Sequence, residues 1–483
     1  MSSAGISYTP KGLYIGGEWT PGAAGKTLVT INPSNGERLA EVPWAGEEDV
    51  DLAVQAAKRA APDWGKTPPA ERARCLEALA ESILANAEEL ALIDAYDSGN
   101  TVSGMRGDMT WSADTLRYFA GLVREIKGTT FINGPDHLNM TLRQPYGVVA
   151  KIGAFNHPFR FCAEKVAAPL AAGNCVVVKQ PEQTPLGGLR FAELCDGIFP
   201  PGVVNVITGD AIAGSALVRH PDVPRIAFIG SVETGRIIAR EAAEGIKEVT
   251  LELGGKNPII IFADADATKA ASLVLKGMNL NRQGQSCSST SRVFVHESLH
   301  DEVIERLVEG ARKYRVGLPW EEDTDVGPVV SEEQYDRVMG FIESAKAEGG
   351  KLLTGGGRPN GEKLARGFFI APTVFDAVTP EMRIAREEIF GPVMSVLSWR
   401  DYEQMMEIVN GVMYGLTAAI VTNDLKLAMQ TADRIQAGYV WINSSGRYLG
   451  APYGGWKQSG LGREESLDEL LSYTQIKNIN LAW

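Results

Sequence analysis

A cysteine in a glycine-rich turn is the first residue of this sequence that could do covalent chemistry. Cys287 lies in the segment GQSCSS, between a predicted helix and the apolar run SRVFV. A thiol in such a turn can face a cleft, and its thiolate is a strong nucleophile once dipoles or cations lower its pKa. This segment alone is equally consistent with a small buried cysteine. Four other cysteines lie in apolar predicted elements, where we expect them to be inert: Cys75, Cys162, Cys175 and Cys195.

Two further segments place a polar side chain in or after an apolar strand. Glu252 interrupts the run VTLELGG, and desolvation there would raise its pKa into the range of a general base. Taken alone, Glu252 is better explained as a strand-end glutamate that faces solvent. Asn156 follows the apolar run GVVAKIGAF, and its amide could donate to a developing oxyanion. The alternative for Asn156 is a turn residue before His157 and Pro158.

The elements that would position these residues are short apolar strands alternating with helices. Helices are predicted over 47–95 and 107–124. From residue 147 the strand-like runs are GVVAKIGAF, NCVVVKQP, GVVNVITG, RIAFIGS and VTLELGG, and residues 256–450 repeat the alternation. This pattern predicts βαβ units in two doubly wound α/β lobes with parallel sheets, an arrangement that binds nucleotides at the carboxyl ends of its strands.

Composition excludes several classes of protein. The chain has 483 residues, enough for about two to four domains, and a net charge of -13, which argues against a nucleic-acid partner. Its five cysteines are widely spaced and form no CxxC motif, so neither a disulfide scaffold nor a cysteine-only zinc site is expected. No secretory signal and no apolar run of about 18 residues is found, which predicts a cytoplasmic protein without a membrane partner.

Taken in order, the motifs resemble those of the aldehyde dehydrogenase superfamily. GQSC at Cys287, LELGGKNP at Glu252 and AFNHP at Asn156 match its nucleophile, glutamate and asparagine motifs. VVVKQPEQTP, FIGSVETG, EEIFGPV, YGLTAAI and PYGGWKQSGLGRE follow the family pattern as well. The resemblance implies that Cys287 forms a thiohemiacetal and then a thioester with the aldehyde carbon. Asn156 and the Cys287 N–H would stabilise the oxyanion, and Glu252 would activate water, directly or through a relay.

The resemblance also implies a cofactor site for NAD, with NADP left open. Lys179 and Glu182 would bind the adenosine ribose, where a carboxylate accepts from a free 2′-hydroxyl and repels a 2′-phosphate. Gly230 and Ser231 open a predicted helix whose N-terminus would face the pyrophosphate. The remaining residues that the resemblance assigns to the cofactor are Ile152, Phe155, Leu253, Glu388 and Phe390; Phe155 stands where tryptophan is common.

The family pattern suggests domain boundaries and self-association. Residues 1–124 and 146–254 would form the NAD-binding domain, and 255–458 the catalytic domain. Segments 125–145 and 459–483 would form a small β oligomerisation arm in a homodimer or homotetramer. The terminal run LLSYTQIKNINLAW alternates like a strand but has no obvious partner nearby, so a neighbouring subunit would supply one.

The substrate is the least determined feature. His157, Arg160 and Glu164 lie on the helix that lines the family's substrate tunnel, and Arg447 and Tyr448 lie in a loop that borders it. These residues favour an aromatic or carboxylate-bearing aldehyde. Alternatively, Arg160 and Glu164, four residues apart, pair with each other on the helix surface.

Other classes remain as alternatives. A CoA-acylating semialdehyde dehydrogenase would pass the thioester to CoA, although such enzymes generally lack the glutamate that this chain has. A non-catalytic binding protein on the same scaffold would have no need of Cys287, Glu252 and Asn156 together.

The segment His296 to His300 reads HExxH, a zinc metalloprotease signature. That motif needs both histidines on one helix, whereas a strand is predicted before His296; no metal site is expected. Gly25-Lys26-Thr27 lacks the first glycine of a P-loop, so an ATPase is not expected.

Overall fold

A computed structural model describes residue 6 and residues 8–483 of the chain. Its strands are β1 (Leu13–Ile15), β2 (Glu18–Thr20), β3 (Thr27–Ile31), β4 (Arg38–Pro43), β5 (Thr130–Ile132), β6 (His137–Pro145), β7 (Val148–Ile152), β8 (Cys175–Lys179), β9 (Val204–Ile207), β10 (Arg225–Ile229), β11 (Glu248–Glu252), β12 (Pro258–Ile261), β13 (Arg292–His296), β14 (Lys351–Thr354), β15 (Thr373–Asp376), β16 (Val393–Trp399), β17 (Tyr414–Gly415), β18 (Thr417–Val421), β19 (Tyr439–Ile442), β20 (Trp456–Lys457), β21 (Gly460–Leu461) and β22 (Thr474–Ala482).

Its α-helices are α1 (Glu47–Lys66), α2 (Pro69–Ala85), α3 (Ala87–Ser98), α4 (Val102–Leu122), α5 (Pro158–Ala171), α6 (Leu186–Cys195), α7 (Ala211–Arg219), α8 (Val232–Glu244), α9 (Ala267–Gly277), α10 (His300–Lys313), α11 (Glu332–Ala347), α12 (Arg383–Arg386), α13 (Tyr402–Asn410), α14 (Leu425–Arg434) and α15 (Leu467–Ser472). In the part of the chain that the structure describes, none of these helices has the length and apolar character that a membrane span requires.

The first sheet has the order β2-β1-β9-β8-β7-β10-β11-β21. Its strands from β9 to β11 are parallel, whereas β1 and β21 pair antiparallel with β9 and β11. Every residue of β7 and β8 is buried, because helices cover both faces of the sheet. The parallel order and the two covered faces confirm the predicted doubly wound α/β class.

The second sheet has the order β14-β15-β16-β13-β12-β18-β19. All neighbouring strands in it are parallel except β14 with β15. Two apolar clusters, one on each face, bury it. The chain therefore contains a second α/β lobe, as predicted, while the proposed domain boundaries stay a prediction.

A small β arm is formed by β5, β6 and β22. β22 pairs antiparallel with β6 from Thr474 opposite Pro145 to Ala482 opposite His137, so the terminal strand has a partner within its own chain, in the segment 125–145 that we expected to join it in one β arm. The partner was not obvious because it lies more than 300 residues earlier in the chain. The run LLS at the start of the predicted strand is instead part of α15, which Ser466 precedes.

Helix α4 begins earlier than the sequence pattern predicts. It starts at Val102 rather than residue 107, because the Thr101 hydroxyl accepts a hydrogen bond from the N–H of Gly104 and caps the helix. Gly104 and Gly107 lower the helix propensity of this first turn, which hides it in the sequence. Packing of buried Val102 and Met105 overrides that propensity.

Candidate active site

The carboxyl ends of the parallel strands gather several of the predicted site residues. In register, Ile152 of β7 lies opposite Lys179 of β8 and Phe228 of β10, and Ile229 of β10 lies opposite Glu252 of β11. Asn156 follows β7 in the chain. This edge is where a doubly wound sheet presents ligand-binding groups.

Glu252, the last residue of β11, is buried and has no hydrogen-bond partner. Its side chain is 5% exposed, and neither carboxylate oxygen accepts a bond from any residue that the structure describes. Burial, and next the negative charge of Glu464, raise the pKa of Glu252 well above its usual value. The solvent-facing alternative for Glu252 is therefore wrong, and no described side chain or backbone group occupies its carboxyl oxygens.

Cys287 lies in the turn before β13, and the side chain of Asn257 holds that turn. The Asn257 amide donates to the carbonyl oxygens of Cys287 at 2.7 Å and of Ser289 at 2.9 Å. Burial raises the pKa of the Cys287 thiol to about 11, although the charge of Arg447 opposes the shift. This is the reverse of the lowered pKa expected from the sequence, so the thiol needs a base to become a thiolate.

Two consecutive residues link the thiol to the carboxylate. The Tyr453 hydroxyl lies 3.9 Å from the Cys287 sulfur. A Cβ atom on Gly454 would lie 2.6 Å from the Gly462 carbonyl oxygen and 2.9 Å from Oε1 of Glu252, so the backbone at Gly454 passes close to the carboxylate. Neither residue is assigned a role from the sequence, although both belong to the matched motif PYGGW. One short backbone segment thus lies against both groups.

Asn156 is buried, and a second asparagine fixes its backbone. The Asn100 amide donates to the Asn156 carbonyl oxygen at 3.1 Å. Asp94 accepts from the N–H of Phe159 at 3.0 Å, at the start of the helix that follows. The polypeptide around Asn156 is therefore held by two buried side chains from a separate part of the chain, α3 and the residues that follow it.

The residues predicted to bind the adenosine end of the cofactor lie at the carboxyl ends of β8 and β10. The Lys179 ammonium is 3.3 Å from a carboxylate oxygen of Glu182. Ser231 caps α8, with its hydroxyl accepting from the N–H of Thr234 at 3.1 Å. Gly230 donates to the Glu252 carbonyl oxygen at 3.1 Å. The N-terminus of α8 thus follows the strand end directly, as anion binding requires.

Residues of the second lobe reach the same edge. Glu388 accepts from the Gly255 N–H at 2.8 Å, and burial raises its pKa to about 7. A Cβ atom on Gly254 would collide with the Glu388 carboxylate. Phe390 has a φ of 58°, an unusual conformation that the Gln334 amide holds by donating to its carbonyl oxygen at 2.8 Å.

These observations fit a dinucleotide. The Phe155 and Phe390 rings lie 5.6 Å apart, edge to face, between the two lobes. Two carboxylates, of Glu182 and Glu388, and the N-terminus of α8 are groups of the kind that bind ribose hydroxyls and a pyrophosphate. Ile152 and Leu253 supply buried apolar surface beside them.

The predicted substrate residues on α5 are held in a buried ionic network. Nδ1 of His157 lies 2.7 Å from Asp108, and burial lowers the pKa of His157 to about 4. Nε of Arg160 lies 2.5 Å from Glu164. The pair expected as an alternative does form, but both side chains are buried rather than on the helix surface. Arg282 also pairs with Asp108, at 2.6 Å.

The predicted loop residues differ in exposure. Arg447 pairs with Glu465, and its guanidinium lies 3.7 Å from the centroid of the Tyr453 ring. Tyr448 is 69% exposed. Contact of either residue with a substrate stays a prediction, but Arg447 lies beside a residue that contacts the thiol.

The HExxH segment does not have the geometry of a zinc site. His296 ends β13 and His300 begins α10, so the two histidines do not share a helix. His300 instead lies 2.9 Å from Asp376. Among residues 6 and 8–483, no three metal-ligating side chains are grouped around a common point.

Comparison with known proteins identifies the family. The family model described as "Aldehyde dehydrogenase family" matches residues 19–479. The chain belongs to the aldehyde dehydrogenase family. The resemblance stated from the motifs is therefore confirmed, and this dehydrogenase is an oxidoreductase.

Relatives cover nearly the whole dehydrogenase. Aldehyde dehydrogenase tropH of Talaromyces stipitatus is 46% identical over 97% of this chain and 93% of its own. The NAD+ complex of aldehyde dehydrogenase from Bacillus cereus has 41% identity and a TM-score of 0.95, covering 99% of this chain and 97% of that one. PnpE from Pseudomonas sp. WBC-3 has 39% identity and a TM-score of 0.96, with 98% of both chains covered; a structure of PnpE in complex with nicotinamide adenine dinucleotide is equally similar.

Proposed function

We propose that this dehydrogenase oxidises an aldehyde to a carboxylic acid with NAD+, and that it uses Cys287 as nucleophile and Glu252 as base. The observation that carries the proposal is that the Tyr453 hydroxyl lies 3.9 Å from the Cys287 sulfur, while the next residue, Gly454, packs so close to the Glu252 carboxylate that a Cβ atom there would crowd it. A nucleophile that must be deprotonated and a buried carboxylate without a partner are thereby brought to one place.

The first half of the reaction forms a bond between sulfur and carbon. Glu252, whose pKa is raised by burial, accepts the thiol proton, and the thiolate attacks the aldehyde carbon. The carbonyl oxygen becomes an oxyanion, to which the Asn156 amide and the Cys287 N–H donate. When bound, NAD+ would supply the hydride acceptor for this carbon, which would be oxidised while it stays attached to the Cys287 sulfur as a thioester.

The second half releases the acid. Once the proton taken from the thiol has passed from Glu252 to solvent, Glu252 removes a proton from water, and the hydroxide attacks the thioester carbon. The bond between carbon and sulfur breaks, and Cys287 leaves as a thiolate. A thiolate is a better leaving group than an alkoxide, which explains cysteine rather than serine here. The unpartnered state of Glu252 supports hydrolysis over transfer to CoA.

The cofactor would be held at the strand ends already described. Lys179 and Glu182 would bind the adenosine ribose, the N-terminus of α8 the pyrophosphate, and Glu388 the other ribose. Two similar proteins, the Bacillus cereus aldehyde dehydrogenase and PnpE, have been solved in complex with NAD, which supports NAD as the cofactor of this chain. Since Glu182 would repel a 2′-phosphate, we expect NADP to be used less well.

We infer that the chain self-associates through its β arm. Phe131 is 53% exposed, Ile132 82% and Ile476 63%, so one small sheet exposes several large apolar side chains. A second copy of the chain covering this surface would give a homodimer or homotetramer. We also place the protein in the cytoplasm, because all of its cysteines that the structure describes are free thiols.

The substrate we propose is an aromatic or polar aldehyde. Two arginine side chains stack on aromatic rings. The Arg160 guanidinium lies 4.8 Å from the centroid of the Trp111 ring, and the Arg447 guanidinium lies 3.7 Å from that of the Tyr453 ring. This combination of flat rings and cations favours a flat or acidic substrate over a plain alkyl chain.

The test is NADH formation with a panel of aldehydes, for wild type and Cys287→Ala, with NAD or NADP, and with and without CoA. We expect activity with NAD alone that Cys287→Ala abolishes. Cys75→Ala is the matched control, since Cys75 is a half-buried cysteine in α2. Equal loss in both variants, or acyl-CoA formation in place of free acid, would contradict the proposal.

A further inference from the structure

Arg447 connects a buried carboxylate to the tyrosine beside the nucleophile. On one side its guanidinium pairs with Glu465, whose side chain is 1% exposed. On the other side it lies 3.7 Å from the centroid of the Tyr453 ring, and the hydroxyl of that ring is 3.9 Å from the Cys287 sulfur. A continuous row of contacts thus runs from a buried carboxylate to the thiol.

The carboxylate at the start of this row belongs to a residue with an unusual backbone conformation. Glu465 has a φ of 64°, in the left-handed region that residues other than glycine rarely adopt. Its N–H donates to Oε2 of Glu469 at 2.7 Å, and its carbonyl oxygen accepts from the N–H of Gly450 at 2.8 Å. Such a conformation persists only where the surroundings enforce it, and it is concentrated at functional sites. Glu465 is therefore a fixed anchor for Arg447.

Pairing with Glu465 does not cancel the charge of Arg447. The Glu465 carboxylate also faces Arg160, at 3.8 Å, so that two guanidinium groups share it. Glu164 is a second carboxylate near Arg447, and it is paired with Arg160 and Lys165. Arg447 therefore keeps part of its positive charge toward the aromatic ring on its other side.

The groups around the thiol act on it in opposite directions. Burial raises the pKa of Cys287 most, and the carboxylates of Glu388 and Glu252 raise it further. Arg447 and the hydrogen bond from Tyr453 lower it. Arg447 is the one cation among these four groups, so it is the charge that opposes the two carboxylates.

A cation on the face of a phenol ring strengthens the hydroxyl as a donor. The ring face is negative and attracts the guanidinium. A nearby positive charge favours the ionised form of an acidic group, so it makes the Tyr453 O–H more acidic. Hydrogen bonds from such a donor to an ionised acceptor are the strong ones. The hydroxyl therefore stabilises the sulfur of Cys287 most when that sulfur is a thiolate.

We propose that Arg447 is a positioning residue that activates the nucleophile through its neighbour: it makes the Tyr453 hydroxyl a stronger donor, which stabilises the Cys287 thiolate. This inference rests on the proposed function, in which the thiol passes its proton to Glu252 before the sulfur attacks the aldehyde. Arg447 stays protonated throughout and takes up no proton. Its effect on the thiol is present before any substrate binds.

The test measures alkylation of Cys287 by iodoacetamide as a function of pH, with the labelled peptide identified by mass spectrometry. Arg447→Gln should raise the apparent pKa of the thiol by about one unit. At a fixed pH below that pKa the rate should fall about threefold, because the thiolate is about tenfold scarcer but more nucleophilic. Arg447→Lys keeps a cation on the ring and should restore most of the rate. Arg447→Met keeps the length of the side chain, so it tests the charge even if glutamine is not tolerated.

Arg434→Gln is the matched control. Arg434 also pairs with a glutamate, Glu403, at 2.6 Å, and its guanidinium lies 5.0 Å from the centroid of a tyrosine ring, that of Tyr402. This variant should keep the wild-type profile. Iodoacetamide is small and uncharged, so the loss of a substrate contact at Arg447 would leave its rate unchanged.

A double variant tests the connection through Tyr453. Arg447→Gln should slow alkylation clearly less in Tyr453→Phe than in wild type, because the hydroxyl that it strengthens is already absent. Equal slowing in both backgrounds, an unchanged or lowered thiol pKa in Arg447→Gln, or no recovery in Arg447→Lys overturns the inference. Absence of NADH formation with every aldehyde would instead refute the proposed function, while alkylation still decides the inference, so the two failures are distinguishable.

Discussion

Two buried carboxylates, Glu252 and Asp108, differ in whether they have partners. Glu252 is 5% exposed and Asp108 2%, so burial is nearly the same. Burial raises the pKa of Glu252, and the charges of Lys165, Arg447 and Arg463 do not reverse this shift. Burial would also raise the pKa of Asp108, but Arg282 and His157 lie against it and lower that pKa below its usual range. Partners, and not depth, decide which carboxylate can take up a proton and which one holds the structure together.

The largest expected effect tests Glu252, the carboxylate without a partner. Glu252→Gln keeps the shape and removes the base, so kcat should fall about 1000-fold, or about 4 kcal/mol in activation free energy. Steady-state kinetics with NAD measures this change. Glu387→Gln, at an exposed glutamate, is the control and should retain kcat. A loss below tenfold in Glu252→Gln would mean that another group activates water.

The next largest effect tests Asp108, the carboxylate that is paired with buried cations. Asp108→Asn leaves the buried cations Arg282 and Arg160 without their carboxylate, which should lower the free energy of unfolding by about 3 kcal/mol. Chemical denaturation measures it. Asp114→Asn on the same helix is the matched control, because its pair with Arg117 is exposed and 4.0 Å long, worth under about 1 kcal/mol. Equal effects of the two variants would remove the distinction drawn here.

The comparison also predicts that replacing Glu252 raises the stability of the protein, whereas replacing Asp108 lowers it. Folding raises the pKa of Glu252 above 4.5, so the folded protein binds this proton more tightly than the unfolded chain, and stability falls as pH rises above 4.5. Glu252→Gln removes that cost, and its Tm at pH 7 should exceed that of wild type by about 2 °C. The difference should shrink toward pH 4.5 in thermal-shift measurements. A lower Tm at pH 7 would show that Glu252 is stabilised by a partner.

The smallest expected effect concerns the Tyr453 hydroxyl, an uncharged group that lies beside the thiol. Tyr453→Phe removes the hydroxyl beside Cys287, whose hydrogen bond partly offsets the rise in the pKa of the thiol caused by burial. The thiol should then react with iodoacetamide about threefold more slowly at a fixed pH. Tyr448→Phe, at an exposed ring, serves as control and should not change the rate. Faster alkylation of Tyr453→Phe would show that the hydroxyl only shields the sulfur.

Much of the fold and part of the site could be predicted from the sequence. The alternation of apolar runs and helices reports burial on both faces of a parallel sheet, and this class is confirmed. The segments around Cys287, Glu252 and Asn156 were recognisable because each is a local motif next to a strand. Local signals of this kind depend only on neighbouring residues.

What could not be predicted depends on residues distant in the chain. His157 and Arg160 were assigned to substrate, but Asp108, 49 residues before His157, engages them in the folded protein. Nothing in the segment around residue 157 reports that partner.

The long-range contacts of segment 459–474 have a consequence for biosynthesis. Ser459 accepts from the N–H of Leu253, β21 closes the edge of the first sheet beside β11, and Lys165 pairs at 2.7 Å with Glu464, 299 residues later. While the ribosome is still translating the second lobe, the first sheet has an open edge at β11, and Lys165 is without that carboxylate. Chaperone binding to nascent chains should therefore persist until residues near 474 have left the exit tunnel.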